Sequence, residues 1–269
     1  MKSPSKVQLN PFNPPVYPLL NVLNKMAVES YILFNGNDLA ELNMNLSEFI
    51  GVKEFYLSDI QVSKGGYLSG IDEIVSQILN YPDGLMTSDS NDMVELTGYP
   101  PYSVDFSKFG IENVVYRFNP FVGLDREIVL ILNNDRSAKN YLDIGQLTVD
   151  QLKALKLVSL LLSDFVLQKQ LIKRDMNYKS VLIVNLIEKN PMLEFFHQPH
   201  TSHPSSVYSF IVPNMDHNDF YRQMINNGIE IGRMKNNEGD DYFTIANFIT
   251  HSKEQIELFI DSANKILVN

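Results

Sequence analysis

Hydrophobic positions recur along this chain with two periods, and the alternation between them predicts an α/β protein. Residues 1–18 follow neither period. They are rich in Pro, Ser and Asn and predict an extended arm. Residues 19–33 mix helix and strand spacing, which leaves their state open. Asn37–Ile50 places Leu39, Leu42, Leu46 and Phe49 on one helical face, with Gly51 just past its end. Val52–Leu57 alternates as a strand does. SKGG then precedes Ile71, Ile74, Val75 and Ile78 on one helical face, so this unit reads strand, Gly-Gly turn, helix. Short strands are predicted at 84–89 and 102–106. Two more, VVYRF and Ile128–Leu132, flank the corner Phe118-Asn119-Pro120-Phe121.

The longest helical pattern runs from Leu147 to about Asn190. Leu152, Leu155, Val158, Leu161, Leu162 and Phe165 form its face, and Thr148 with Gln151 fits a capping box. A second helix is expected over Leu171–Glu188, ended by Pro191. The last eighty residues change rhythm. Val207–Val212 reads as a strand, and DHNDFYRQMINNG as a helix closed by Gly228 at C′. GIEIGRM and DYFTIANFI read as short strands. The terminal helix carries Ile256, Phe259, Ile260, Ala263 and Ile266 on one face, with Ser252 and Gln255 placed for a second capping box. This β-α-β-β-α run predicts a small α+β domain.

Composition narrows the classes. At 269 residues, 44% hydrophobic and 20% charged, the chain can bury a substantial core. A net charge of −10 offers no basic footprint, so nucleic acid is not an expected partner. The absence of cysteine excludes disulfides, thiolate nucleophiles and Cys-based zinc sites. The N-terminal residues lack the apolar core of a signal peptide, and no apolar run approaches the ~18 residues that span a bilayer. The expectation is a cytoplasmic protein with no membrane association.

Local motifs say little about chemistry. His197, His200 and His203 are three apart, but Pro199 and Pro204 make that segment a loop with no common face, so no metal site is expected. Asp72-Glu73 and Asp240-Asp241 read as solvated charge. No G-x-S-x-G, Walker A or G-x-G-x-x-G stretch occurs. Gly65 and Gly66 at a helix start present backbone N–H groups that can hold an anion, though Gly-Gly is equally a routine turn.

The residues resemble one family along much of their length. GIEIGRM followed by DYFTIANFITHSKEQIELFIDSANKI is similar to the small domain of the fold-type I, class V aminotransferases, where a strand reading roughly F-R-I-G/A-N precedes the final helix. Upstream, GLMTSDSNDMVELTGYPPYSVDFSKFGIENVVYRFNPFVGLDREIVLILNND resembles a large-domain segment of the phosphoserine aminotransferases. There, D-V-S-K-F-G and then the cofactor lysine in Q-K-N-L-G-P-A-G follow the aspartate that pairs with the pyridine nitrogen. The resemblance covers about residues 84–269 and is collinear. It implies an α/β fold: a reduced large domain of the pyridoxal phosphate (PLP) transferase type with a central mixed sheet (1–172, with the N-terminal arm), then a small α+β domain (173–269). It also implies a homodimer, and Gly65, Gly66 and Asp89 (or Asp92 with a slip) as the remnants that contact cofactor. Asp89 reads equally well as a strand-end turn residue.

Three departures shape the functional expectation. Counting forward from VDFSKFG puts Phe118 at the lysine position, and counting back from Gly123 puts Arg117 there. Neither is a primary amine, and PLP chemistry needs one. The family's substrate-carboxylate arginine falls at Thr244, or at Phe243 with a slip, so a bidentate fork is lost; Arg233, set against another arginine of the family, leaves partial anion binding open. Family members are also longer, and the segment expected to stack on the cofactor ring falls in what this chain omits before GLMTSD. The resulting expectation is a homologue that is not a transaminase, with no catalytic residue and no cofactor. It would act as a binding, regulatory or structural protein, beside a full-length paralogue or with a small anionic ligand. The alternative is an active PLP-dependent aminotransferase of amino-acid (serine) metabolism using a relocated lysine, Lys64 or Lys139.

Overall fold

A computed structural model describes residues 7–12, 15–50, 55–63, 86–87, 93–97, 113–118, 124, 127–134, 142–199, 207–236, 238–248 and 250–268. These fall into two units. One holds the described residues within Val16–Ser69 and Gly84–Lys173. The other holds those within Met1–Pro15 and Arg174–Asn269.

The first unit is built on a five-stranded mixed sheet. Strands β2 (Tyr56–Ser63), β3 (Met86–Thr87), β4 (Met93–Thr97), β5 (Asn113–Arg117) and β6 (Glu127–Asn133) follow β1 (Val7–Gln8) in the chain and lie in the order β2-β6-β5-β4-β3. Only β4 and β5 run parallel. The two strands flanking the aromatic corner pair antiparallel, with Val114 opposite Leu132 and Tyr116 opposite Leu130. The strand expected at 52–57 runs instead over Tyr56–Ser63, with Leu57 and Ile60 in the core, Asp59, Gln61 and Ser63 exposed, and a register shift between Leu57 and Asp59. Strand β4 has no counterpart in the sequence reading, and the expected strand at 102–106 lies outside the described residues.

Helix α1 (Leu20–Ser30) and a 3₁₀ turn (Tyr31–Leu33) occupy the stretch whose pattern was ambiguous. Helix α2 (Gly36–Ile50) follows. Asn35 caps it: its side chain accepts from the Asn37 N–H at 2.8 Å, and Asp38 reaches back to the Asn35 N–H at 3.0 Å. Helix α3 (Val149–Lys189) is one unbroken run of 41 residues, about 60 Å long at 1.5 Å per residue. This corrects the expected second helix over 171–188. Leu167 and Leu171 are exposed, which interrupts the apolar stripe, yet no Gly or Pro lies between 149 and 189 to break the backbone. The Thr148–Gln151 capping box is present, with bonds of 3.0 and 3.3 Å. Lys156 on α3 pairs with Asp38 at 2.9 Å, and Asn45 donates to Ser163 at 3.0 Å.

The second unit holds an antiparallel sheet in the order β10-β11-β8-β7, from β7 (Glu194–His197), β8 (Val207–Ile211), β10 (Gly232–Lys235) and β11 (Asp241–Ala246). Helices α4 (His217–Asn226) and α5 (Lys253–Val268) join Tyr208, Phe210, Phe243 and Ile245 in one apolar cluster through Phe220, Met224, Ile256, Phe259 and Ala263. Gly228 takes φ +77°, the left-handed C′ conformation that the sequence called for. The Ser252–Gln255 box also forms. GIEIGRM splits into two strands. β9 (Ile229–Glu230) pairs parallel with β1, whereas β10 pairs with β11. The arm is therefore partly strand: Val7 and Leu9 enter the apolar cluster, and the Leu9 carbonyl accepts from the Ala246 N–H at 2.9 Å. No helix among the described residues is long and apolar enough to cross a membrane.

Candidate functional site

Phe118, the residue after β5, turns its side chain inward. Phe118 is 1% exposed, and its N–H donates to the Ile128 carbonyl at 3.0 Å, so the backbone stays in the ladder one residue past the strand. Its ring meets Tyr116 edge-on at 5.9 Å and lies nearly parallel to Phe165 of α3 at 6.4 Å. Phe165 in turn contacts Phe49 at 5.4 Å and Tyr17 at 5.1 Å. The Tyr17 hydroxyl donates to Asp164. Burial first, and Asp164 second, push that phenol's pKa well up, so it stays protonated. Position 118 is thus part of an aromatic cluster centred on Phe165. Arg117, the alternative lysine position, pairs in the sheet with Thr97 and Val129.

Thr244 lies in the middle of β11, opposite Gly232 on one side and Ser209 on the other. It is fully buried, and its hydroxyl oxygen has no hydrogen-bond partner. A Cβ at Gly232 would meet that oxygen at 2.2 Å, the Phe12 ring at 2.9 Å and Pro11 at 3.0 Å. The hydroxyl therefore sits in the notch that glycine leaves, beneath the N-terminal arm. Phe243, the slipped alternative, points to the other face and packs against Phe220 at 5.1 Å. Arg233 is held by Asp241 and by Asn218 at 2.9 Å, and the guanidinium keeps the Asp241 carboxyl below the usual carboxylate range. The arginine meant to leave partial anion binding open is already engaged within its own unit.

His197 is not in a loop, as expected from its neighbouring prolines, but at the end of β7. Its N–H donates to Ser209 Oγ at 3.0 Å, and its Nδ1 shares a hydrogen bond with the same oxygen at 2.9 Å. Burial lowers the imidazole pKa. No group of three metal-ligating side chains occurs among the described residues. Gly65, Gly66, Asp89, Asp92, Lys64, Lys139, His200 and His203 lie outside the described residues.

One polar cluster escaped the sequence reading. Lys179 is fully buried on α3. Its ammonium pairs with Asp175 at 2.7 Å and donates to the carbonyls of Phe248 at 3.1 Å and His251 at 2.8 Å. His251 Nδ1 accepts from the Phe248 N–H at 3.1 Å. The ring is therefore the Nε2–H tautomer, its proton on the side of the Gln8 backbone. Burial, and then the Lys179 charge, depress the His251 pKa to about 3. The cluster ties α3 to the turn before α5. Every ammonium proton of Lys179 is taken by an acceptor, although burial lowers its pKa. The signal was there: 176, 179, 180, 183 and 187 form a buried helical stripe, and the lysine lies in it.

The architecture is the fold of the class V PLP-dependent aminotransferases and their relatives, which match nearly the whole chain. Among them are a phosphoserine aminotransferase from Cytophaga hutchinsonii (12% identity, 97% of this chain and 98% of that one, TM-score 0.64) and an alanine–glyoxylate aminotransferase from Nostoc sp. (9%, 99% and 96%, TM-score 0.62). A NifS-like protein from Rickettsia africae matches with 12% identity over 98% of this chain and 100% of that one, at a TM-score of 0.59. No family model and no curated protein matches the sequence. Identities this low establish the fold alone. The described positions that the resemblance assigned to PLP and substrate hold a benzyl ring in an aromatic cluster and a hydroxyl under the arm. Neither fits the group.

Proposed function

We propose that this chain keeps the class V aminotransferase fold without the transamination chemistry and serves as a binding, regulatory or structural protein. The observation carrying this reading is Phe118. The side chain at the position aligned with the cofactor lysine cannot condense with an aldehyde, and it is engaged in packing. The buried Thr244, at the position aligned with the carboxylate arginine, points the same way. The test is spectroscopic. Purified protein mixed with PLP should show no yellow aldimine band, and borohydride should fix no pyridoxyl group on any peptide. A band that borohydride traps on Lys64 or Lys139 overturns the proposal in favour of an active aminotransferase.

A further inference from the structure

We propose that the groove between the C-terminal halves of α3 and α5 binds a free, straight-chain monocarboxylic acid of medium length. The two helices run parallel here: the Tyr178 hydroxyl donates to Glu257 at 3.3 Å, and further along both helices Asn190 donates to Asn264 at 3.3 Å. Between their last turns lies a groove of about 480 Å³, within the usual range for small-molecule sites. Its walls are aliphatic. Leu182, Leu186, Ile260 and Leu267 line it and continue the apolar cluster of the second unit outward. Among the described residues no aromatic ring and no carboxylate lines it, so the walls suit a methylene chain. From Leu182 to Lys189 the helix advances about 10 Å at 1.5 Å per residue, the reach of a chain of roughly eight carbons.

The polar groups in the groove indicate the charge of the head group. The Met192 N–H donates to Asn190 Oδ1 at 3.0 Å, which turns the Asn190 amide so that its Nδ2 donates to Asn264 Oδ1. Both amide orientations are thereby fixed, and what Asn264 has left to offer is its Nδ2–H donors. The exposed Lys189 ammonium stands at the same groove. An ammonium and an amide donor together select an anion. Both helices end here, and Lys189 and Lys265 in their final turns offset the partial negative charge of the last carbonyls. A carboxylate at Asn264 and Lys189 with its tail along Leu182, Leu186 and Ile260 satisfies both parts of the lining. The groove shares no residue with the positions assigned to PLP, so the outcome with that cofactor leaves the proposal untouched.

Isothermal titration calorimetry of the full chain at neutral pH, with butanoate, hexanoate and octanoate below their micellar concentrations, should show affinity rising about 3- to 4-fold per added methylene. Octan-1-ol and methyl octanoate keep the tail without the charge and should bind at least ~10-fold more weakly than octanoate, and octylammonium more weakly still. The ester arm also separates a free acid from an esterified acyl chain. Lys189→Met should weaken octanoate about 5-fold and leave octan-1-ol unchanged. Asn264→Asp keeps the acceptor that Asn190 needs and replaces the free donor by a carboxylate, so octanoate should weaken at least ~10-fold. Circular dichroism melts check that both variants fold. No binding heat with millimolar octanoate overturns the proposal. So does an affinity independent of chain length, an alcohol, ester or ammonium that binds as tightly, or either variant binding octanoate as the wild type does.

Discussion

Replacing Phe118 with alanine tests whether the corner is packing or the wall of a hollow. The ring is 1% exposed and touches two further rings. Transfer of a buried Phe side chain contributes about 2–3 kcal/mol, and the cavity left when neighbours relax only in part raises the loss to about 3–5 kcal/mol. In a unit of this size each kcal/mol shifts the midpoint by about 2–4 °C, so the melting temperature should fall by roughly 10 °C. Urea unfolding followed by circular dichroism measures the loss directly, provided the m-value is unchanged. Phe118→Met, which refills most of the volume, should lose less than about 1.5 kcal/mol. If Phe118→Ala loses under about 1 kcal/mol, the side chain borders open space, as a surface substitution would. The packing argument then fails, and with it the main support for a non-catalytic reading.

Two other outcomes follow from the buried cluster of the second unit. Lys179→Met removes an ammonium shared by the carbonyls of residues 248 and 251 and should destabilise the protein by about 3 kcal/mol, seen as a lower urea midpoint, because two buried acceptors lose their donor. A loss within experimental error would mean that water replaces the ammonium. His251 should make stability pH-dependent. Its folded pKa, near 3, lies below the unfolded value of about 6.5, so between them the unfolded chain binds the extra proton. Its contribution is complete above the unfolded pKa and is lost progressively as pH falls toward the folded one, by about 2 kcal/mol at pH 5 relative to pH 7. His251→Asn should flatten that part of the profile in urea titrations, and an unchanged slope would show that the ring protonates freely in place.

What the sequence revealed was what neighbouring residues decide among themselves. Both capping boxes and the left-handed Gly228 depend on side chains within a turn of one another, and all three are found as read. Strands β5 and β6 were legible on either side of the aromatic stretch for the same reason. Continuity of α3 was not, because the exposed Leu167 and Leu171 mimic a boundary that only a backbone breaker would make real. The surroundings of Lys179 and Thr244 were not legible, for a different reason. A buried lysine is tolerable only because carbonyls about seventy residues later meet it, and Thr244 is enclosed by Gly232 and by Phe12 from the far end of the chain. A side chain's own position in a pattern does not announce such partners. The split of GIEIGRM into two strands has the same origin, since half of it serves the arm and half the sheet.

The seating of β1 beside β9 constrains how the chain can mature. Asn10 reaches Glu230 across 220 residues of sequence, and Leu9 is locked by a main-chain bond from residue 246. A ribosome releasing this polypeptide therefore extrudes the arm long before its berth exists. The unit centred on the five-stranded sheet can form while the arm still waits, and the other unit closes only when both ends of that long loop meet. Mutations that slow this late meeting would leave Val7 and Leu9 open to chaperones and proteases while the unit centred on the five-stranded sheet is already native.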